Sequence, residues 1–434
     1  MKRFFNIAVP TLMLVLLTTS CSLQGCSAQG GYNDHFTQDR LRIDLMFVGN
    51  SKTQNVYLDG LHFEKEWSGT REHLLPDFDY GEYTIDVYAA DGTKIFSQGF
   101  CSLFAEWRTT PEASRVNKSY NNSLRIPFPK KKVKVVISER IKKSGQLSEL
   151  SSFEIDPKDS SINRDKENNF EVAKVLYNGP SENKVDLVFV AEGYTEGEME
   201  KYRRDVNKFI GYLFDIEPYK SRKSDFNIWA VESISIDSGT DIPHQNIWKN
   251  TVADSHFNTF FIERYLTLPD HKKLSQLVSN APCDAIYVIV NTDKYGGGGI
   301  YNYYGLGMSD NKYEAEVLVH EFGHSFAGLG DEYYDSHVAY EDMYDMSVEP
   351  WEPNLTTLAD FSSKWASMVK EGTPIPTPNE EIYKDVVGAF EGGGYSAKGI
   401  YRPYLDCRMK SNTAEGFCPV CNAAIQRMID YYCK

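Results

Sequence analysis

Between residues 34 and 160 apolar and polar positions alternate in short runs broken by turn signals. Residues 41–48, 83–88, 94–100 and 132–138 read as strands, with Asp91-Gly92 as a hairpin turn. A period of two repeated in this way predicts an all-β sandwich over residues 33–160. The polar stretch 156–169, with Pro157 and Ser160-Ser161, reads as a linker. Beyond it the period changes. Residues 185–190 form a continuous apolar strand, 196–213 have helical spacing, and 227–234 and 285–290 are further strands, which predicts an α/β (α+β) domain over residues 170–434. The run from Gly296 to Gly305 carries four successive glycines. It reads either as an antiparallel edge strand that takes up an extended peptide or as a flexible loop, and it lacks the lysine of a phosphate-binding loop.

The next apolar, helix-prone run, 317–326, contains His320-Glu321-Phe322-Gly323-His324. On a helix, residues i and i+4 share a face, so both imidazoles can reach one zinc ion while Glu321 stands beside its open coordination position. The bland alternative is a surface helix with two ordinary histidines. The residues that follow weigh against it: Gly328 and Gly330 are helix stop signals, and the turn they make can return Asp331 or Glu332 to the metal as a third, carboxylate ligand. Asp331 is the first choice and Glu332 the second; a solvated acidic turn is the alternative for both.

Two histidines on a helix, a glycine turn and a ligand three residues after the glycine resemble the metzincin pattern. Here Gly328 follows His324 by four positions where the general pattern has three, so one extra residue enters the turn. Cys407-Arg408-Met409-Lys410-Ser411 and the helix-like end 423–432 resemble a metzincin Met-turn and terminal helix. Met409 would then floor the site through its thioether without binding zinc; otherwise it is an ordinary core methionine. The His-Glu-x-x-His helix, the Gly-Leu-Gly-Asp-Glu-Tyr turn and the Cys-Arg-Met turn together resemble the bacterial immunoglobulin A peptidase family of metzincin-like zinc metallopeptidases. That resemblance implies a β-rich domain ahead of the catalytic one. It says nothing about an antibody hinge as substrate.

Cys418 and Cys421 form a C-x-x-C pair, but no second ligand pair stands at zinc-ribbon spacing. Disulfides are the expectation for Cys101, Cys283, Cys407, Cys418, Cys421 and Cys433, with at least one bridge pinning the Met-turn to the terminal helix.

The chain starts with Lys2-Arg3, an apolar stretch and small residues, which reads as a secretory leader over residues 1–26. Cys21 or Cys26 would be lipidated in a bacterial lipoprotein, giving a membrane anchor; cleavage near Ala28 would instead release a periplasmic or secreted protein. A net charge of -15 speaks against nucleic acid or an anionic membrane surface as partner. The basic run Lys130-Lys131-Lys132-Val133-Lys134 reads as a solvated strand face.

These residues predict a zinc metalloendopeptidase acting on protein or peptide substrates, immunoglobulin-like ones among the options. Zinc would sit on His320, His324 and Asp331, with Glu321 as general base. Two other readings are an envelope zinc protein that binds glycan or protein, against which Glu321 argues, and a cell-wall peptide amidase. Tyr333 and Tyr334 stand near the site in sequence, but nothing singles out either of the two for catalysis.

Overall fold

The computed structural model describes residues 31–334 and 343–433; the leader over residues 1–26, with Cys21 and Cys26, lies outside them. The first part of the chain runs through α1 (Tyr32–His35), β1 (Phe36–Gly49), β2 (Gln54–Glu64), β3 (Tyr83–Tyr88), β4 (Lys94–Phe100), α2 (Leu103–Arg108), β5 (Lys118–Pro129), β6 (Val133–Arg140) and β7 (Leu147–Ile155). Two antiparallel sheets result, ordered β2-β1-β5 and β4-β3-β6-β7. Ile43, Leu45 and Phe47 of β1 share one apolar core with Ile85, Val87, Val135 and Ile137 of the other sheet. Strand β5 escapes the alternation test because it opens on a polar stretch and holds Pro127 and Pro129. Strand β2 is interrupted by Gly60.

Strand β1 also buries charge. Arg42 pairs with Asp44 at 2.9 Å, and Arg40 and Arg125 converge on Glu64 at 2.7 and 2.9 Å. Buried charges are tolerated where every one is paired, and these do a second job at the seam with the rest of the chain. Arg40 donates to Ser279 O at 3.1 Å and Arg125 to Ser275 O at 2.9 Å.

The second part contains β8 (Val172–Leu176), β9 (Val185–Glu192), α3 (Met199–Leu213), β10 (Phe226–Val231), α4 (His271–Leu277), β11 (Ala285–Val290), β12 (Gly297–Ile300), β13 (Tyr304–Met308), α5 (Glu314–Ala327), β14 (Phe390–Gly393), β15 (Ser396–Arg402) and α6 (Pro419–Tyr432). Six strands form one sheet in the order β12-β13-β11-β9-β10-β8. Its centre, β13-β11-β9-β10, is parallel, and β12 and β8 close it as antiparallel edges. The central strands β9 and β10 are buried along their whole length, which is why they read as unbroken apolar runs. No helix among the described residues is long and apolar enough to cross a membrane.

The glycine run is a strand, not a loop, and its glycines are spacers. Helix α5 lies against β12 and β13, where a Cβ at Gly299 would stand 2.4 Å from Glu321 O and 2.9 Å from His324 Cβ. Strand β12 is an edge, as one sequence reading has it, but residues 264–266 already run beside residues 296–298. Leu266 N–H donates to Gly297 O at 3.3 Å, so an added peptide strand is pre-empted there.

Candidate metal centre

Helix α5 ends at Ala327 because Gly328 takes the left-handed conformation, φ 64°. Its N–H returns to His324 O at 3.0 Å, and Leu329 N–H to Gly323 O at 3.2 Å, the crossed bonds of a glycine-terminated helix. The chain then folds back under the helix. Asn354 fixes this return: it accepts from Gly330 N at 2.7 Å and donates to Gly330 O at 2.9 Å.

The turn carries Asp331 to the two histidines. Asp331 Oδ1 lies 3.1 Å from His320 Nε2 and 3.3 Å from His324 Nε2, and the two Nε2 atoms are 3.1 Å apart. Each imidazole is oriented from behind. His320 Nδ1 donates to Arg408 O at 3.0 Å and His324 Nδ1 to Leu329 O at 2.5 Å. A carbonyl can only accept, so the proton of each neutral ring sits on Nδ1 and the Nε2 lone pairs point inward. His320, His324 and Asp331 thus offer three ligand atoms to a common point. Glu332 does not join them; it faces a different set of side chains.

Glu321 lies beside this point in a slot formed by the absent side chain of Gly297, whose Cβ would stand 2.9 Å from Glu321 Oε1 and 2.7 Å from Val317 Cγ1. Burial raises its carboxyl pKa, and His320 and His324 pull it back. Burial alone would lower His324, yet the carboxylates of Asp331 and Glu321 outweigh it and lift the imidazole to about 9.

Met409 is buried with its sulfur 2.9 Å from where a Cβ of Gly323 would stand, and its carbonyl accepts from Glu332 N–H at 2.9 Å. The segment that carries Met409 thereby reaches both the helix and the acidic turn.

Several residues here carry no local sequence signal. The tip of the β14–β15 hairpin places Gly394 and Tyr395 at φ 54° and 63°, as a type I′ turn needs. Gly394 N–H donates to Asp331 O at 2.7 Å, and the Tyr395 hydroxyl donates to Asp331 Oδ2. Tyr333 stacks on His320 with ring centroids 6.4 Å apart, and Arg264 covers Tyr333 at 5.7 Å. From the β-rich part, Glu106 reaches the same neighbourhood and accepts from Tyr265 OH at 2.5 Å. Burial pushes Glu106 up to about 7 against that hydrogen bond. Spacing could not have found Tyr395, Arg264 or Glu106, since each is far along the chain from the helix, and Tyr333, though near in sequence, stood among other tyrosines with nothing to single it out.

The expected disulfides are corrected. All six cysteines among the described residues are free, and Cys407 Sγ lies 3.7 Å from Cys421 Sγ against about 2.05 Å for a bond.

Gly297 gives a test of the slot. Gly297→Ala would press a methyl on the Glu321 carboxylate, so any hydrolysis that Glu321 assists should fall roughly tenfold to a hundredfold while His320, His324 and Asp331 keep their places. Gly299→Ala would meet helix backbone instead, and should lower thermal stability by about 1–3 kcal/mol. Kinetics beside melting curves separate the two; equal activity in Gly297→Ala and the parent would mean that Glu321 has room to spare.

Comparison with known families covers most of the chain. The sequence profile of the Peptidase M64 N-terminus matches residues 31–151, and that of IgA Peptidase M64 matches residues 173–385 and 379–429. No curated protein matches the chain. With matches to both parts extending over far more than half its length, the chain belongs to the IgA Peptidase M64 family and is a peptidase, a hydrolase of protein or peptide substrates.

Proposed function

We propose that this chain is an exported bacterial zinc metalloendopeptidase of metzincin-like design, in which His320, His324 and Asp331 hold the metal and Glu321 is the general base. One observation carries the reading: two imidazole Nε2 atoms and a buried carboxylate oxygen, Asp331 Oδ1, converge within 3.3 Å of one another. Such a set repels itself unless a cation or a proton lies between, and two imidazoles with one carboxylate suit zinc. Export rests on the leader residues, and residues 33–160 and 170–434 are the two domains we assign. An apolar cluster whose buried residues all fall between Tyr32 and Ile162 supports that division.

Zinc, when bound, supplies a Lewis acid that polarises a peptide carbonyl and acidifies water. The protein's own groups do the rest. Arg408 O and Leu329 O hold the imidazoles in the tautomer that ligates, and Tyr395 fixes the second oxygen of Asp331. Glu321, raised by burial, takes a proton from the attacking water and passes it to the leaving amine. Met409, under Gly323, is assigned as the floor of the site. Met409→Leu, nearly equal in volume, should therefore cost less than about 1.5 kcal/mol of stability and keep the metal, as metal analysis and a melting curve would check.

The overall reading is tested by stripping the metal with a chelator and restoring zinc. Cleavage of an unfolded protein substrate should vanish and return; cleavage that persists in metal-free protein would overturn it. Binding should also depend on pH. In metal-free protein His324 is protonated up to about 9, so at neutral pH the metal must displace that proton. Apparent affinity should rise about tenfold per pH unit toward 9 and then level. The same raised pKa stabilises the metal-free fold fully below about 6.5, an advantage lost as pH climbs through about 9. Titration of zinc at several pH values measures the slope, and a flat profile between about pH 7 and 9 would mean that His324 holds no extra proton in the metal-free protein.

A further inference from the structure

A second group of ligand-type side chains lies next to the first along the same turn. Asp331 faces the histidines, whereas Glu332, the following residue, faces Cys407, Cys418 and Cys421. One ligand atom from each of these four lies within 4.8 Å of the others, and all four residues are buried. Cys407 Sγ and Cys421 Sγ are 3.7 Å apart, and Cys421 Sγ is 3.1 Å from Glu332 Oε1.

The thiols are prepared by the backbone. Cys418 is the N-cap of α6, where its sulfur accepts from Cys421 N–H at 3.4 Å; Cys407 Sγ accepts from Cys418 N–H at 3.2 Å. N–H groups at a helix start favour thiolates. Glu332 Oε1 accepts from Asn354 Nδ2 at 2.9 Å, but Glu332 Oε2, on a residue with no solvent exposure, has no partner. A fully buried carboxylate that meets a thiol through Oε1 and leaves Oε2 unpaired is costly without a cation to receive it.

We propose that Glu332, Cys407, Cys418 and Cys421 form a second metal site, closed to solvent, structural in role and suited to zinc. Three sulfurs and one carboxylate make the four-coordinate, mostly soft donor set that zinc takes in structural sites. Tetrahedral zinc with sulfur ligands at about 2.3 Å requires sulfurs about 3.8 Å apart, close to the Cys407–Cys421 distance. A disulfide accounts for the cluster less well, since it would join two sulfurs, strand the third and leave Glu332 Oε2 unpaired. With four protein ligands no position stays open for substrate. The ion would tie the segment of Met409 to the start of α6 and to the residue after Asp331. The inference does not rest on the first site being catalytic.

Zinc counted per chain, with zinc-edge X-ray absorption, tests it on the purified protein, on His324→Ala and on Cys418→Ser/Cys421→Ser. The expected result is two zinc ions in the parent, one in each variant, and in His324→Ala a zinc surrounded by sulfur at about 2.3 Å. If the first site holds no metal, the parent and His324→Ala should both keep one sulfur-bound zinc, which separates the two readings. Should the cysteine variant not fold, alkylation mapping of the parent decides: Cys407, Cys418 and Cys421 should be protected until a chelator is added. Equal labelling with and without chelator, zinc without sulfur neighbours, or a disulfide among the three cysteines would overturn the proposal.

Discussion

Glu321→Ala should lose roughly a hundredfold or more in peptide cleavage while keeping its metal. The expectation follows from position. Glu321 is not one of the three ligand atoms that converge on the common point, so removing it leaves His320, His324 and Asp331 as they are. It does remove the one carboxylate of the His-Glu-x-x-His helix that stands beside that point, in the slot at Gly297. A proton transfer by a placed side chain contributes about a hundredfold to ten-thousandfold, and no neighbour can take over. Glu106, from the β-rich part, is engaged by a hydrogen bond from Tyr265. Metal content measured beside cleavage rates separates the roles. Unchanged cleavage in Glu321→Ala would sink the mechanism, and lost metal would make Glu321 a ligand.

How much of this could be read from the residues varies with distance along the chain. His320, Glu321 and His324 were legible because helical spacing alone puts the histidines on one face, and Asp331, the first choice for a third ligand, lies with the two histidines in the structure. The sequence ranked Asp331 ahead of Glu332 on its spacing from Gly328 but could not show how the turn runs. The left-handed Gly328 and Asn354, which holds the returning chain, bring Asp331 to the histidines and turn Glu332 toward the cysteines. The cysteines were misread for a related reason. A C-x-x-C pair suggests a second pair nearby, whereas the remaining donors are Cys407 and a glutamate 89 residues from Cys421. The strands of the parallel sheet were legible as apolar runs because both faces are covered, while β2 and β5 were obscured by glycine, proline and polar residues. The glycine run was ambiguous because the helix that demands its bare backbone comes later in the chain.

Asp331→Ala should release the metal from the histidine pair and abolish cleavage, whereas Glu332→Ala should leave that metal in place. Asp331 Oδ1 stands 3.1 and 3.3 Å from the two Nε2 atoms, so its loss takes away one ligand in three. Removing a residue that merely orients a ligand costs about tenfold to a hundredfold in metal affinity, and removing the ligand itself should exceed that. The alanine variant also loses its anion: without the carboxylate that lifts His324 to about 9, the imidazole proton becomes easier to remove, which recovers only part of the affinity. Tyr395→Phe offers the graded control, because it frees Asp331 Oδ2 and leaves Oδ1 in place; its loss should fall within the tenfold to hundredfold range. Competition with a chromophoric chelator ranks the three variants. The order Asp331→Ala, then Tyr395→Phe, then Glu332→Ala for loss at the histidine site is the expected one. If Glu332→Ala strips that site as fully as Asp331→Ala does, the two carboxylates serve one metal and the third ligand must be reassigned.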